Sequence, residues 1–213
     1  MPDKYLSVKG ICRTEKVIER SRFITTSTHA EGEKEAMDFI SGIRSRYRDA
    51  THNCYAFVGD DAGNLLRFSD DGEPQGTAGM PILDVIRNNG LRQCAVVVTR
   101  YFGGIKLGAG GLVRAYSGCT AENLLQAKRV LYELCEENRY TVDYSQVKAA
   151  SLLISSSPCE LLDTLYADRV TFILRLKAKD SGPFDAALTD RLAGRLEISH
   201  GDPCMGAFPA EDN

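Results

Sequence analysis

The hydrophobic pattern of this chain is strongest over Cys94–Val98, where every residue is apolar and the run ends in Thr99 and Arg100. Apolar residues at every position, rather than at every second one, predict a central strand that is covered on both faces. Alternating apolar residues predict a strand over 52–59, and helical spacing predicts an amphipathic helix over 33–47. The same criteria predict strands over 6–13, 17–28 and 65–69, with a turn at 14–16, and helices over 80–88 and 110–128.

The pattern changes after Lys128, where a charged segment separates the first group of elements from a second one. The second group is predicted to contain strands over 139–144, 159–166, 170–177 and 195–199, and helices over 146–155 and 183–193. This βαββαβ order is that of a ferredoxin-like sandwich. We therefore predict an α/β domain over 1–128, a linker over 129–138, an α+β ferredoxin-like domain over 139–200 and a loose tail over 201–213.

A glycine-rich loop follows the central strand and leads into the helix predicted over 110–128. A strand that feeds a glycine-rich turn into a helix presents free amide groups and the positive end of the helix dipole, which suit an anion. The loop does not match a P-loop, because Leu107 follows Lys106, and it lacks the third glycine of the dinucleotide fingerprint. By spacing alone, the glycines could equally serve only to let the helix pack close to the sheet. The candidate anion- or RNA-binding residues are Arg100, Tyr101, Phe102, Gly104, Lys106, Gly108, Gly110, Gly111 and Arg114.

A second candidate region is the acidic loop that contains Asp70, Asp71 and Glu73. Clustered carboxylates can bind Mg²⁺ or act as acid and base, but Asp-Asp-Gly-Glu-Pro is also a typical turn sequence. Thr77 would serve as a helix N-cap after this turn. His52 precedes Cys54 by two residues and would share a strand face with it, so a Cys–His pair is conceivable. Because no second carboxylate cluster or histidine pair completes a metal shell, we assign no metal site, no cofactor and no catalytic residue.

Composition and charge narrow the class of protein. The chain has 213 residues, of which 43% are hydrophobic and 26% charged, and it has neither a span-length apolar run nor an apolar leader. Its seven cysteines form no C-x-x-C pair, so we expect reduced thiols and a cytoplasmic location without a membrane. Residues 1–128 carry 17 Lys and Arg against 15 Asp and Glu, whereas residues 129–213 carry 9 against 14. Any contact with a polyanion should therefore be local rather than spread over a basic face.

Three motifs, ATHNCYAF (50–57), FSDDGEPQGTAGMPIL (68–83) and RYFGGIKLGAGGLVRAY (100–116), together resemble the YigZ/IMPACT family. The resemblance implies that the first domain shares the fold of the second domain of a small-subunit ribosomal protein and of domain IV of elongation factor G. It implies that the second domain is like domain V of that factor. It also favours a cleft shared by the glycine loop and a wall formed by His52, Asp70, Asp71, Glu73 and Thr77.

Three functions are compatible with these features. The first is a non-enzymatic, translation-associated protein that regulates or binds RNA, the ribosome or a translation-regulatory protein, as the resemblance implies. The second is a small-molecule enzyme that binds phosphate through the glycine loop and Mg²⁺ through Asp70, Asp71 and Glu73. The third is an assembly module in which the glycine loop is purely structural. We expect the first.

Overall fold

The computed structural model describes residues 4–209. The chain forms two compact units, an N-terminal unit that extends to Leu131 and includes Pro209, and a C-terminal unit over Tyr132–Phe208. No helix within residues 4–209 combines the length and apolarity needed to cross a membrane. The fold is mixed α/β, as the sequence predicts.

The elements of the N-terminal unit are β1 (Lys4–Val8), β2 (Cys12–Ile18), β3 (Ser21–His29), α1 (Gly32–Arg46), β4 (His52–Val58), β5 (Leu66–Ser69), α2 (Gly79–Asn88), β6 (Cys94–Tyr101) and α3 (Gly108–Gln126). Five of the strands form an antiparallel sheet with the order β2-β3-β6-β4-β5.

The central strand β6 is buried on both faces, as its continuous apolar run predicts. Val96 and Val98 belong to the core on the side of α2 and α3. Ala95 and Val97 belong to a second core, which packs against α1. All four side chains are fully buried. Because each face of the sheet packs against its own core, β6 shows no alternation of apolar and polar residues.

The turn predicted at 14–16 is wrong, because those residues lie inside β2. The chain reverses instead at Glu19 and Arg20, which join β2 to β3 in a two-residue hairpin with φ angles of 45° and 64°. Two-residue hairpins favour left-handed backbone at both positions, which normally selects Asn or Gly. Glu and Arg carry no such signal, so the true turn could not be located from residue type.

The C-terminal unit contains the predicted βαββαβ order. Its main elements are β7 (Arg129–Val142), α4 (Val147–Ser156), β8 (Cys159–Tyr166), β9 (Val170–Lys177), α5 (Ala178–Arg191), β10 (Glu197–Ser199) and β11 (Cys204–Pro209). The first three residues of β7 and the last residue of β11 fall outside the bounds Tyr132–Phe208. The strands are antiparallel, with β9 between β7 and β8 and with β10 and β11 paired to β7. The core of this unit includes Tyr140, Phe172, Leu174, Phe184 and Leu188.

Two segments differ from the expectation of a linker and a loose tail. Residues 129–138 belong to β7, in which Val130 and Cys135 are buried. Charged residues of the strand are paired across the sheet, as in the 2.7 Å ion pair between Glu137 and Arg175, which is why the segment is polar in sequence yet ordered as a strand. In the segment expected to be loose, residues 204–209 form β11, which pairs with β7. Residues 210–213 lie outside the described part of the chain.

The loop after β6 is fixed by a close backbone approach at Gly103. A Cβ atom added there would overlap the carbonyl group of Arg20, in the hairpin turn between β2 and β3. The Gly103 amide also donates to Ser21 Oγ at 3.2 Å. The residue at position 103 must therefore be glycine for the hairpin and the loop to stay in contact.

We predict that Gly103→Ala lowers the free energy of unfolding by about 2 kcal/mol, because the added methyl group must displace backbone rather than a flexible side chain. The matched control is Gly118→Ala in the middle of α3, where no atom lies within 4 Å of the position that the new methyl group would take. That change should be neutral or stabilising, since alanine is the better helix former. Urea denaturation measures both variants, and equal midpoints for the two would contradict the packing role of Gly103.

Candidate functional site

The N-terminus of α3 opens onto a cleft of about 460 Å³. Three segments form its walls: the end of β2 with the hairpin turn, the loop after β6, and the first two turns of α3. The lining residues are Ile18, Glu19, Ile105, Lys106, Leu107, Gly111, Arg114 and Ala115. The cleft thus combines apolar lining residues with three charged side chains.

The first turn of α3 has amide groups without a cap. Leu107 occupies the N-cap position and makes no side-chain hydrogen bond to the helix, and the first turn contains no acidic residue. Gly108, Ala109 and Gly110 are exposed. Within residues 4–209, no side chain or loop carbonyl accepts a hydrogen bond from their amide groups. The glycines therefore leave the positive end of a 19-residue helix open to an anion.

Two cations of the predicted set lie at this helix end. Lys106 and Arg114 both line the cleft, and neither forms an ion pair with another residue in the described part of the chain. The one carboxylate in the lining belongs to Glu19. The cleft therefore has a local excess of positive charge, to which the helix dipole adds.

Arg100 is not part of this cleft, which differs from its expected role beside the glycine loop. Its side chain is only 5% exposed, and Nη1 donates to Glu73 Oε1 at 2.6 Å. Nη2 donates to Ser21 Oγ at 3.2 Å. The guanidinium group lies between the rings of Phe23 and Phe102, at 5.4 and 5.5 Å from their centroids. Because a buried carboxylate already neutralises this arginine, it has no charge to offer a ligand.

The Arg100–Glu73 ion pair is extended by two further side chains. Tyr116, on α3, donates its hydroxyl to Glu73 Oε1 at 2.7 Å. Cys54, on β4, donates its thiol to the Asp70 carbonyl at 2.9 Å and lies 3.4 Å from the Tyr116 hydroxyl. Burial raises the pKa of the Cys54 thiol to about 12. Cys54 is therefore a neutral hydrogen-bond donor in the core rather than a nucleophile.

His52 is oriented by the acidic loop and does not pair with Cys54. Its Nδ1 lies 2.8 Å from the Asp71 carbonyl oxygen, and its Nε2 lies 3.8 Å from Glu73 Oε2. The Asp71 carboxylate accepts from the Asn53 amide at 2.6 Å and from Arg44 Nη2 at 2.7 Å. These contacts fasten the acidic loop to β4 and α1.

Asp70 caps α2, the role that the sequence assigns to Thr77. Its carboxylate accepts from the amides of Gly76, Ala78 and Gly79 at 2.8–3.0 Å. Thr77 instead donates its hydroxyl to the Pro74 carbonyl at 2.6 Å, inside the turn. The expected N-cap at Thr77 is therefore wrong. The capping carboxylate belongs to Asp70, at the start of the loop, rather than to a residue at its end.

The acidic loop forms neither a wall of the cleft nor a metal site. None of His52, Asp70, Asp71, Glu73 and Thr77 lines the cleft at α3. Each of the three carboxylates is engaged by protein donors, and no group of three or more potential ligands converges within residues 4–209. The turn interpretation of this loop therefore describes it better than the Mg²⁺ interpretation.

The aromatic residues at the end of β6 differ in accessibility. The Tyr101 hydroxyl donates to Asp49 at 3.0 Å, and the Arg22 guanidinium lies 5.6 Å from the Tyr101 ring. Phe102 is 46% exposed, although one face of its ring covers Arg100. Gly104 follows with a φ of +86°. Phe102 is thus the member of this group that could stack on a ligand.

Three residues of the region were missed by the sequence analysis. Glu19 and Ser21 come from the hairpin, which could be placed only once the true turn was known. Tyr116 lies in the resembled motif, but nothing in its spacing predicts that its hydroxyl meets Glu73. The contacts of Tyr116 and Ser21 join residues more than 40 positions apart in sequence, where local patterns carry no information.

We predict that Glu73→Ala lowers the free energy of unfolding by about 3–5 kcal/mol, because it leaves the Arg100 guanidinium buried without a counter-charge. The double variant Glu73→Leu/Arg100→Met should recover much of this loss, since it removes both charges and keeps apolar volume. Glu122→Gln, which breaks an exposed 2.7 Å ion pair with Lys16, serves as the control and should change little. Equal free energies of unfolding for Glu73→Ala and Glu122→Gln, measured by urea denaturation, would show that leaving Arg100 without a counter-charge is not costly.

We predict that protonation of Asp70 accounts for part of the loss of folding stability at low pH. Burial alone would raise the pKa of Asp70, but the amides of Gly76, Gly79 and Ala78 outweigh it and hold the pKa below the ordinary 3.8. The contribution is therefore complete at neutral pH and is lost as the pH falls through the lowered pKa. Asp70→Asn should cost about 1 kcal/mol at pH 7 and flatten the decline below about pH 4.

The control for this experiment is Asp84→Asn, an exposed position on α2. It should shift neither the stability at pH 7 nor the shape of the acid limb. Thermal melts from pH 7 down to pH 2 measure the three proteins. An Asp70→Asn curve parallel to the wild type at every pH would show that the carboxylate charge is not what stabilises α2.

Comparisons with known proteins match this architecture over nearly the whole chain. The family model of the Impact N-terminal domain matches residues 19–124, and that of a domain of unknown function (DUF1949) matches residues 141–195. The chain is 37% identical to the IMPACT family member YvyE of Bacillus subtilis, over 95% of this chain and 93% of YvyE.

It is similarly 36% identical to the IMPACT family member YigZ of Escherichia coli, over 85% of this chain and 90% of YigZ. A solved structure described as the crystal structure of a hypothetical protein matches with a TM-score of 0.62 and 33% identity, over 93% of this chain and 97% of that one. The resemblance carried by the three sequence motifs is thus confirmed, and the chain belongs to the IMPACT family.

Proposed function

We propose that this protein is a non-enzymatic, translation-associated module that binds an unpaired segment of ribosomal or other RNA through the cleft at the N-terminus of α3. The observation that carries the proposal is the combination of uncapped amides at Gly108–Gly110 with Lys106 and Arg114, two cations that have no ion-pair partner within residues 4–209. Helix N-termini and basic side chains are the groups that proteins use to hold phosphate oxygens.

The exposed ring of Phe102 supports an RNA ligand over an isolated phosphate. Phe102 lies four residues before Lys106, and the Arg100 guanidinium lies over its ring at 5.5 Å from the centroid. The exposed ring can stack on an unpaired base while the cleft holds the neighbouring phosphate. The apolar lining residues Ile105 and Leu107 would cover the sugar.

The charge distribution favours a small contact. The whole chain has a net charge of −3, so it lacks the broad basic surface of a protein that binds nucleic acid indiscriminately. With Arg100 neutralised in the core, Lys106 and Arg114 remain as the cations of the cleft. The likeness to ribosomal and elongation-factor domains that the family resemblance implies supports a role in translation.

The enzyme alternative has weaker support. It requires Asp70, Asp71 and Glu73 to face a phosphate across the cleft, but these carboxylates accept hydrogen bonds from α2, Arg44 and Arg100 instead. Cys54 is buried, and burial raises the pKa of its thiol. The carboxylates and the thiol on which the enzyme alternative depends are therefore engaged within the protein rather than directed into the cleft.

We predict that the protein binds a single-stranded RNA oligonucleotide with a weak, salt-dependent affinity. Two phosphate contacts give a slope of log affinity against log salt of about −1.4. Arg114→Ala or Lys106→Ala should weaken binding and reduce the slope by about 0.7 each. Neither should lower the melting temperature, because both side chains lie at the surface of the cleft.

Lys34→Ala is the matched control, since Lys34 is a 90% exposed lysine on α1 that lies outside the cleft. It should bind as the wild type does. Arg100→Ala should instead lower the melting temperature, because it removes a buried partner of Glu73. Equal salt curves for the wild type and Arg114→Ala, or no binding to the oligonucleotide or to purified ribosomes at low salt, would overturn the RNA proposal and favour a regulatory protein partner.

A further inference from the structure

The C-terminal unit contains two thiols in direct contact. Cys135 Sγ lies 3.5 Å from Cys204 Sγ, and it donates to the Cys204 carbonyl at 3.3 Å. Cys135 is on β7 and Cys204 is the first residue of β11, so the contact joins residues 69 positions apart. Among the described residues, no other two cysteines come within hydrogen-bonding distance of each other.

The packing around the pair explains its closeness. Gly206 follows two residues after Cys204 on the same strand, and a Cβ added there would lie 2.6 Å from Cys135 Sγ. The glycine thus leaves a space that the Cys135 sulfur fills, and this lets β11 lie directly on β7. Cys135 is buried and Cys204 is exposed, so the two thiols differ in their access to solvent.

We propose that Cys135 and Cys204 are a thiol-modification site that forms an intramolecular disulfide when a peroxide is present. The exposed Cys204 sulfur attacks one peroxide oxygen, the O–O bond breaks, and the second oxygen leaves as water after taking up the thiol proton. The resulting sulfenic acid at Cys204 lies against Cys135. The Cys135 sulfur then attacks the Cys204 sulfur, the S–O bond breaks, and the hydroxyl leaves as water with the Cys135 proton.

Electrons and atoms balance in this sequence. Two thiols and one hydrogen peroxide give one disulfide and two waters, so each sulfur loses one electron and the peroxide gains two. Burial is the main cause that raises the pKa of Cys135, while nearby Arg175 opposes the rise. Cys135 therefore acts as the second, resolving thiol rather than as the group that meets the oxidant.

The disulfide would fasten the C-terminal strand to the centre of the sheet. β11 is otherwise held by its pairing with β7 and by the contact of Lys177 with the Phe208 ring, at 5.1 Å. A covalent link between residues 135 and 204 closes a long loop, which restricts the unfolded chain and stabilises the folded one. The oxidised protein should be more stable than the reduced protein, and β11 should resist local opening.

The test compares the full-length protein after treatment with dithiothreitol and after treatment with a small excess of hydrogen peroxide. In the oxidised wild type, two of the seven thiols should be lost to a thiol reagent under denaturing conditions. A non-reducing digest should yield one cross-linked peptide that contains residues 135 and 204 and is lighter by two hydrogen atoms. Oxidation should raise the melting temperature by about 5 °C or more, reversibly with dithiothreitol.

Cys204→Ser should abolish all three effects, since its hydroxyl cannot form the link and the exposed position tolerates the change. Cys159→Ser, which alters a half-buried thiol of the same unit, should retain them. Wild-type protein that keeps all seven thiols under the same peroxide, or that forms its cross-link between other cysteines, would overturn the proposal. So would a Cys204→Ser variant that is oxidised and stabilised as the wild type is.

Discussion

The buried ion pair between Arg100 and Glu73 connects the parts of the N-terminal unit that surround the candidate site. Arg100 lies near the end of the central strand β6, Glu73 lies in the acidic loop, and Tyr116 of α3 donates to the same Glu73 oxygen. Removing two charges from water costs several kcal/mol each, and only good geometry with further hydrogen bonds offsets that cost. Here Ser21, Tyr116 and two aromatic rings provide these contacts, so the strand, the loop and the helix are held in one arrangement.

The ion pair also shows which cations near the glycine loop have a structural role and which remain available for a ligand. The sequence places Arg100, Lys106 and Arg114 around one loop, and all three are cations at neutral pH. Burial distinguishes them, because the first is neutralised by Glu73 while the other two line an open cleft. The glycines divide in the same way: Gly103 permits the contact with the hairpin backbone, whereas Gly108 and Gly110 leave helix amides exposed. The structural interpretation of the glycine loop thus holds for Gly103, whereas the proposed anion site rests on Gly108 and Gly110.

The elements that local pattern determines were predictable. The two-sided burial of β6, the opposite faces of Cys54 and Phe57 on β4, and the bounds of β8 and β9 all follow from periodicity over a few residues. The hairpin turn at Glu19 and Arg20 was not predictable, because its left-handed residues are neither glycine nor asparagine. The segment 129–138 resembled a linker because it is rich in charged residues and shows no regular alternation of apolar and polar positions. The partner of Glu137, Arg175, lies on a strand more than 30 residues away. The partners of Asp70, Glu73 and Arg100 could not be predicted for the same reason, because they are set by tertiary contacts rather than by local sequence.

The cleft's single carboxylate has a consequence for what the site can discriminate. Glu19 lines the cleft together with Lys106 and Arg114, in a turn whose left-handed backbone fixes its position. A ligand with phosphates on one side only can meet the helix end while keeping away from Glu19, whereas a uniformly charged polyanion crossing the cleft would be repelled there. Like-charge contacts of this kind raise specificity at the expense of affinity. If the cleft binds RNA as proposed, two cations and one opposing carboxylate would favour a local, oriented contact with a bend or loop over a continuous duplex.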